Sequence, residues 1–266
     1  MKTKDFDYYL PEELIAQTPL EKRKLKKRTI FATLLILLLI PLTLFVGVYY
    51  FAGRKYYFIS LLILLECMLP FFLIFEGRKP QARELVLIAV LVALNVAGRA
   101  AFFMLPEFKP VVAMTILAGV AFGGETGFLV GAMTMLVSNM LFSQGPWTPW
   151  QMLGFGLVGF VGGVLFSGRR VRLVPLLIYG FLSVFVLYGV LLDTASMLMY
   201  NAVPSWQLWL ATCASGVVFN LIHACSTAVF LLVLYKPLLS KLAHVKEKYA
   251  VSYTHLRAHE TELHLV

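Results

Sequence analysis

The sequence predicts an all-α integral membrane protein, and three observations carry the prediction. Mean hydropathy is +0.82. Of 266 residues, 60% are hydrophobic and 14% charged, whereas soluble domains average about half apolar and about a quarter charged. The apolar residues are also gathered into runs near the 20 or so that a helix needs to cross the hydrocarbon core. Eight spans can be drawn, at 29–52, 56–76, 83–105, 110–123, 126–143, 148–167, 173–200 and 207–236.

The first span follows "EKRKLKKR", but its apolar run is too long for a signal peptide. Pro41 and Pro70 predict kinks in the first two spans. The third carries alanines four apart, Ala89, Ala93 and Ala97, and then Arg99 inside the apolar run. The fourth and fifth are short and meet at "GGET", residues 123–126, where a glycine pair fits a tight turn. The sixth opens on Thr148 and Pro149, a cap and first helical position. The seventh contains Asp193, and the eighth Asn220 and His223.

Net charge is +9, and its placement excludes a nucleic-acid face: the excess sits in short segments between apolar runs. With the N-terminus inside, nineteen of the 23 lysines and arginines fall in inner segments. Both termini are therefore expected to be cytoplasmic. Cys67, Cys213 and Cys225 all lie in apolar runs. They make no disulfide framework or metal spacing, and read as buried small hydrophobes.

Residues four apart share one helix face, and small residues there let another helix approach closely. The alanine stripe is either packing within the chain's own bundle or a docking face for a second protein; spacing alone leaves both open. Arg99 is expected roughly 9 Å below the outer surface and Asp193 roughly 10 Å, so the two match in depth and sign as an ion pair. An ionisable residue inside a membrane is a functional candidate by default. Glu66 is a second intramembrane carboxylate, without an evident partner. In "SQGPWTPWQM" and "PSWQLW", Trp147, Trp150, Gln151, Trp206 and Trp209 gather at the outer mouth, with Phe108 and Lys109 of "LPEFKP" nearby. Aromatic belts normally occupy both interfaces. Tryptophans on one side alone suit a ring-rich ligand. Asn220 and His223 share a face near mid-depth, either as interhelical hydrogen bonds or as a pocket floor.

The chain has no G-x-x-x-x-G-K-[ST] loop for ATP, no G-x-S-x-G nucleophile elbow and no H-E-x-x-H within a span. No enzyme, metal or cofactor is expected. From about residue 24 to 245 the chain resembles a substrate-binding S component of an energy-coupling factor (ECF) vitamin transporter, most like the cobalamin-type group. The resemblance is carried by "ARELVLIAVLVALNVAGRAAFFMLPEFKP", "GVAFGGETGFLVGAMTMLVSN" and "QGPWTPWQM".

That resemblance implies a six-helix core at 82–240 and two extra N-terminal transmembrane helices at 29–76. It implies docking of Ala89, Ala93 and Ala97 on a transmembrane coupling protein (T component) that works with two ATPase subunits. It also implies a vitamin site in the outer half, under loops 105–110, 143–148 and 201–206. The expected substrate-binding set is Arg99, Phe108, Lys109, Trp147, Trp150, Gln151, Asp193, Trp206, Asn220 and His223, with cobalamin, a riboflavin-like ring or a queuosine precursor as ligand. The rivals are a proton-coupled secondary transporter relaying through Asp193 or Glu66, and a ligand-free membrane scaffold.

The ends read as foreign to this core. Within the basic segment 1–28, residues 5–23 resemble the opening of a queuosine-pathway tRNA ribosyltransferase-isomerase. Within the tail 241–266, residues 252–266 resemble translated sequencing-adapter read-through. No function is assigned to either.

Overall fold

The computed structural model describes residues 38, 42, 43, 46, 56–77, 82–168, 171–200 and 204–248. Both foreign-looking ends, Pro41 and nearly all of the first expected span lie outside the described residues, as does the loop at 201–203.

Among the described residues every regular element is helical. They are α1 (Tyr56–Gly77), α2 (Ala82–Ala101), α3 (Val111–Phe122), α4 (Gly124–Phe142), α5 (Thr148–Phe166), α6 (Leu173–Tyr200) and α7 (Trp206–Lys248). Five of them, α2 and α4 to α7, are long and apolar enough to cross a membrane. The chain is therefore an all-α, multi-pass integral membrane protein.

Helix α3 differs from the independent crossing expected at 110–123. Its 12 residues span about 18 Å, well short of a hydrocarbon core of about 30 Å. Ten of the twelve are buried, which explains why its sequence is apolar all round rather than amphipathic. It is the central helix, packed against α2, α4, α5 and α7. Gly123, at φ +101°, turns the chain directly from α3 into α4, a backbone region that side chains disfavour.

Close packing at the centre rests on glycines. A Cβ on Gly127 would sit 2.7 Å from the Gly119 Cα, and one on Gly163 would sit 2.5 Å from the Gly124 Cα. A Cβ on Gly119 or Gly159 would run into the facing carbonyl of the neighbouring helix. Helices α3, α4 and α5 thus meet backbone to backbone, the arrangement that small residues permit in lipid.

Helix α1 continues through Pro70; its Glu66 accepts a 2.6 Å hydrogen bond from Thr43. A π-helical turn at Ser183–Tyr188 interrupts α6. Helix α7 is 43 residues long, about 64 Å, and runs well past the expected end at 236. Its far part packs Leu238 and Leu242 against Ile88, Ala118 and Phe122, and Lys246 Nζ donates to the Ala121 carbonyl at 3.0 Å. The cysteine expectation is corrected: Cys225 is exposed and Cys213 half-buried, both on α7. In a lipid solvent an apolar outer face needs no covering, so burial within the protein does not follow from hydropathy.

Candidate functional site

Helix α2 has two faces. Ile88, Leu91, Val92 and Asn95 are buried against the bundle. Ala89, Ala93 and Ala97 are all exposed, beside Val86, Val90 and Leu94. Among the described residues, then, nothing buries the alanines.

The buried face becomes polar toward its end. Asn95 donates to Thr115 and Thr134, both at 3.2 Å. One turn on, Arg99 Nη1 donates to Ser138 Oγ at 2.5 Å and Asn139 Oδ1 at 2.7 Å. Asn139 Nδ2 in turn donates to Thr148 Oγ1 at 2.9 Å and Gln151 Oε1 at 2.7 Å. The guanidinium also stands 5.6 Å from the centre of the Phe142 ring. A buried cation costs little only when so engaged.

The segment after α2 folds back over this end. The Phe108 ring packs between Phe102 (6.3 Å) and Phe230 (5.3 Å). Lys109 N donates to Ser226 Oγ at 2.9 Å, and that hydroxyl donates back to the Lys109 carbonyl at 3.2 Å. Just before them Glu107 adopts φ +54°, a region non-glycine residues seldom occupy. Its carboxylate lies 3.5 Å from His223 Nδ1.

These pieces line a partly open cavity of about 60 Å³. Arg99, Glu107, Lys109, Gln151 and His223 supply its polar lining; Val111, Met135, Phe155 and Tyr188 supply the rest. Phe155 and Tyr188 meet edge to face at 5.0 Å, and Tyr188 meets His223 likewise at 5.2 Å. The space suffices for about four waters at roughly 15 Å³ each.

Of the ten expected substrate-binding residues, Arg99, Lys109, Gln151 and His223 line this cavity; the other six do not. Arg99 and Asp193 are not partners. Asp193 instead accepts from Asn220 Nδ2 at 2.8 Å, against Gly216. Matching depth placed the two charges in one layer of the bundle but not on facing sides. Phe108 is part of the phenylalanine cluster just described. Trp147 precedes α5 and lies against Gly145. Trp150 is 5% exposed and packs among Phe128, Ala132, Leu153 and Ala195. Trp206 is exposed, stacked on Trp209 at 4.8 Å, while Trp209 Nε1 donates to Thr194 at 2.9 Å. The tryptophans therefore do not form one aromatic mouth. Nearness to a loop predicted their depth, but rotation about the helix axis puts Trp150 inside the bundle and leaves Trp206 and Trp209 stacked on each other on α7.

Glu107, Tyr188, Ser138 and Asn139 belong to the site and were not picked out from sequence. Asn95 and Arg99, four apart on α2, and Thr134 and Ser138, four apart on α4, carried the signal. Tyr188 ends the π turn, which no spacing rule marks. Among the described residues there is no group of three or more metal-ligating side chains.

Comparison with known proteins gives a family match over residues 79–240, to the family described as ECF-type riboflavin transporter, S component. A UPF0397 protein of Vibrio atlanticus is 37% identical over 89 residues, 32% of this chain and 48% of that protein. One of Aliivibrio salmonicida is 33% identical over 99 residues, 35% of this chain and 54% of that protein. The chain thus spans about half the length of these curated relatives. Separately, 23 residues, 9% of the chain, are 96% identical to the S-adenosylmethionine:tRNA ribosyltransferase-isomerase of Carboxydothermus hydrogenoformans, covering 7% of that enzyme. No solved structure matches.

Proposed function

The chain belongs to the family of ECF-type riboflavin transporter S components, and on that premise we propose that it is the vitamin-capturing subunit of an ECF importer. The observation that carries this reading is the division of α2. One face sends Arg99 to a polar, ring-walled cavity, and the other leaves Ala89, Ala93 and Ala97 uncovered. Capture and docking are then served by opposite sides of a single helix.

In this reading the ligand enters beneath residues 102–110 and is held by Arg99, Lys109, Gln151 and His223. Small side chains on the opposite face let a T component approach closely while still permitting it to slide. Two ATPase subunits drive the cycle, and the chain tips within the bilayer to release its vitamin inward. In the same reading the cavity faces outward and both termini lie in the cytoplasm, an orientation that the lysine and arginine distribution supports. A flat heterocycle suits the Phe155, Tyr188 and His223 rings better than a corrin macrocycle, so a riboflavin-sized ligand is favoured over cobalamin. Ligand sites are typically about 300–1,000 Å³, so loading requires the 102–110 segment to give way.

The test is mass spectrometry of small molecules that co-purify with the detergent-extracted chain. A stoichiometric heterocyclic vitamin is expected. A chain that carries and binds none, yet drives pH-gradient-dependent uptake without an ATPase, would instead fit a secondary transporter.

A further inference from the structure

We infer that the ligand of this cavity carries an anionic group, a carboxylate or a phosphate, received by Arg99, Lys109 and the amide of Gln151. The inference rests on the reading of the cavity as the capture site and adds the charge of what is captured.

Donors outnumber acceptors on the cavity walls. Arg99 uses Nη1 on Ser138 and Asn139, and among the described residues Nε and Nη2 have no acceptor. Lys109 is fixed through its backbone to Ser226. Lys109 lines the cavity, and its ammonium has no hydrogen-bond acceptor among the described residues. The orientation of Gln151 follows from its neighbour. Asn139 offers its carbonyl to Arg99, so its NH2 faces Gln151 and is accepted by Oε1. The remaining end of Gln151 is then its NH2, which hydrogen-bonds the Tyr188 hydroxyl and keeps one further N–H as a donor. Against these stands one carboxylate, Glu107, which lies 3.5 Å from His223 and within electrostatic reach of Arg99, enough to offset one of the two positive charges.

Two cations and an amide donor therefore face one anion that already has a neighbour. The cavity is rich in donors and carries a surplus positive charge, in surroundings where unpaired charge is unfavourable. An anionic oxygen group supplies the acceptors that the walls lack, and charge-assisted hydrogen bonds are the strong ones. A neutral ring would offer only uncharged carbonyl or ring-nitrogen acceptors and would leave the surplus positive charge uncompensated.

The experiment is equilibrium titration of the full chain in lipid nanodiscs with matched pairs differing by one anionic group. The pairs are nicotinate and nicotinamide for a carboxylate, and pyridoxal 5′-phosphate and pyridoxal, then FMN and riboflavin, for a phosphate. The anionic member of a binding pair is expected to bind at least tenfold more tightly. That preference should fall at least fivefold in Lys109→Gln and in Arg99→Gln. Which pairs respond separates carboxylate from phosphate. Equal or tighter binding of the neutral members would overturn the inference and leave vitamin capture standing. So would a preference undiminished in both variants, because the anion would then sit elsewhere. Binding by no member of any pair would overturn the capture site itself, and the inference with it.

Discussion

Arg99 donates through Nη1 to Asn139 Oδ1 at 2.7 Å, and that bond ties α2 to the polar end of α4. Asn139 uses its other end on Thr148 and Gln151, so one buried amide sets the positions of three helices around the cavity. Asn139→Leu removes an acceptor from a charged group and leaves Gln151 and Thr148 short of a partner. The expected cost is about 2–3 kcal/mol, read as a lowered midpoint of thermal unfolding in detergent. An unchanged midpoint would mean the network is incidental.

Gly159 lies where α3, α4 and α5 touch backbone to backbone. Gly159→Ala should destabilise by about 1–3 kcal/mol through overpacking. Val164→Ala, at an exposed position on the same helix, should change stability by about 0.5 kcal/mol or less. Parallel thermal melts of the two variants check this; equal melts would show that the helices can part at no cost.

Trp150 and Trp206 separate packing from ligand contact. Trp150→Ala opens a hole among Phe128, Leu153 and Ala195 and should cost about 3–5 kcal/mol. Trp206→Ala, on an exposed side chain, should leave both the melting midpoint and vitamin affinity unchanged. A loss of affinity in Trp206→Ala alone would restore the aromatic mouth that the sequence suggested.

Ala93 is exposed at the middle of the α2 stripe. Ala93→Leu adds bulk to that face without touching the cavity. It should reduce co-purification with a T component at least tenfold, with ligand affinity within twofold of the parent. Undiminished co-purification would move the docking face elsewhere.

How much of this was legible before the fold was seen depended on the kind of signal. Helical character follows from run length and hydropathy, which lipid enforces. A periodicity of four marked the alanines as one face, and the exposed side chains at 89, 93 and 97 lie where that period puts them. The same period recurs at Gly127 and Gly131, and at Gly159 and Gly163, where the fold places helix contacts inside the bundle, but it was not picked out from sequence. Alanine and glycine stripes look alike in sequence, and only the fold separates the uncovered one from the buried one. Depth could be counted from the span ends, so Arg99 and Asp193 were matched in height. Rotation about the helix axis could not be counted across the π turn before Asp193. Its pairing with Asn220, which was read as an interhelical hydrogen bond or a pocket floor, was therefore not drawn, and Asn139 was not picked out as the partner of Arg99. Glu107 was passed over in favour of its neighbours Phe108 and Lys109 because a loop carboxylate beside a proline has no periodicity to flag it.

The account stands on α2 serving capture with one face and docking with the other. The most direct measurement takes one preparation of Arg99→Gln and reads two quantities from it, vitamin affinity by equilibrium titration and T-component retention by co-purification. The account predicts affinity lowered at least tenfold with retention unchanged. Affinity equal to that of the parent chain, or loss of both together in a chain that still melts like the parent, would contradict it.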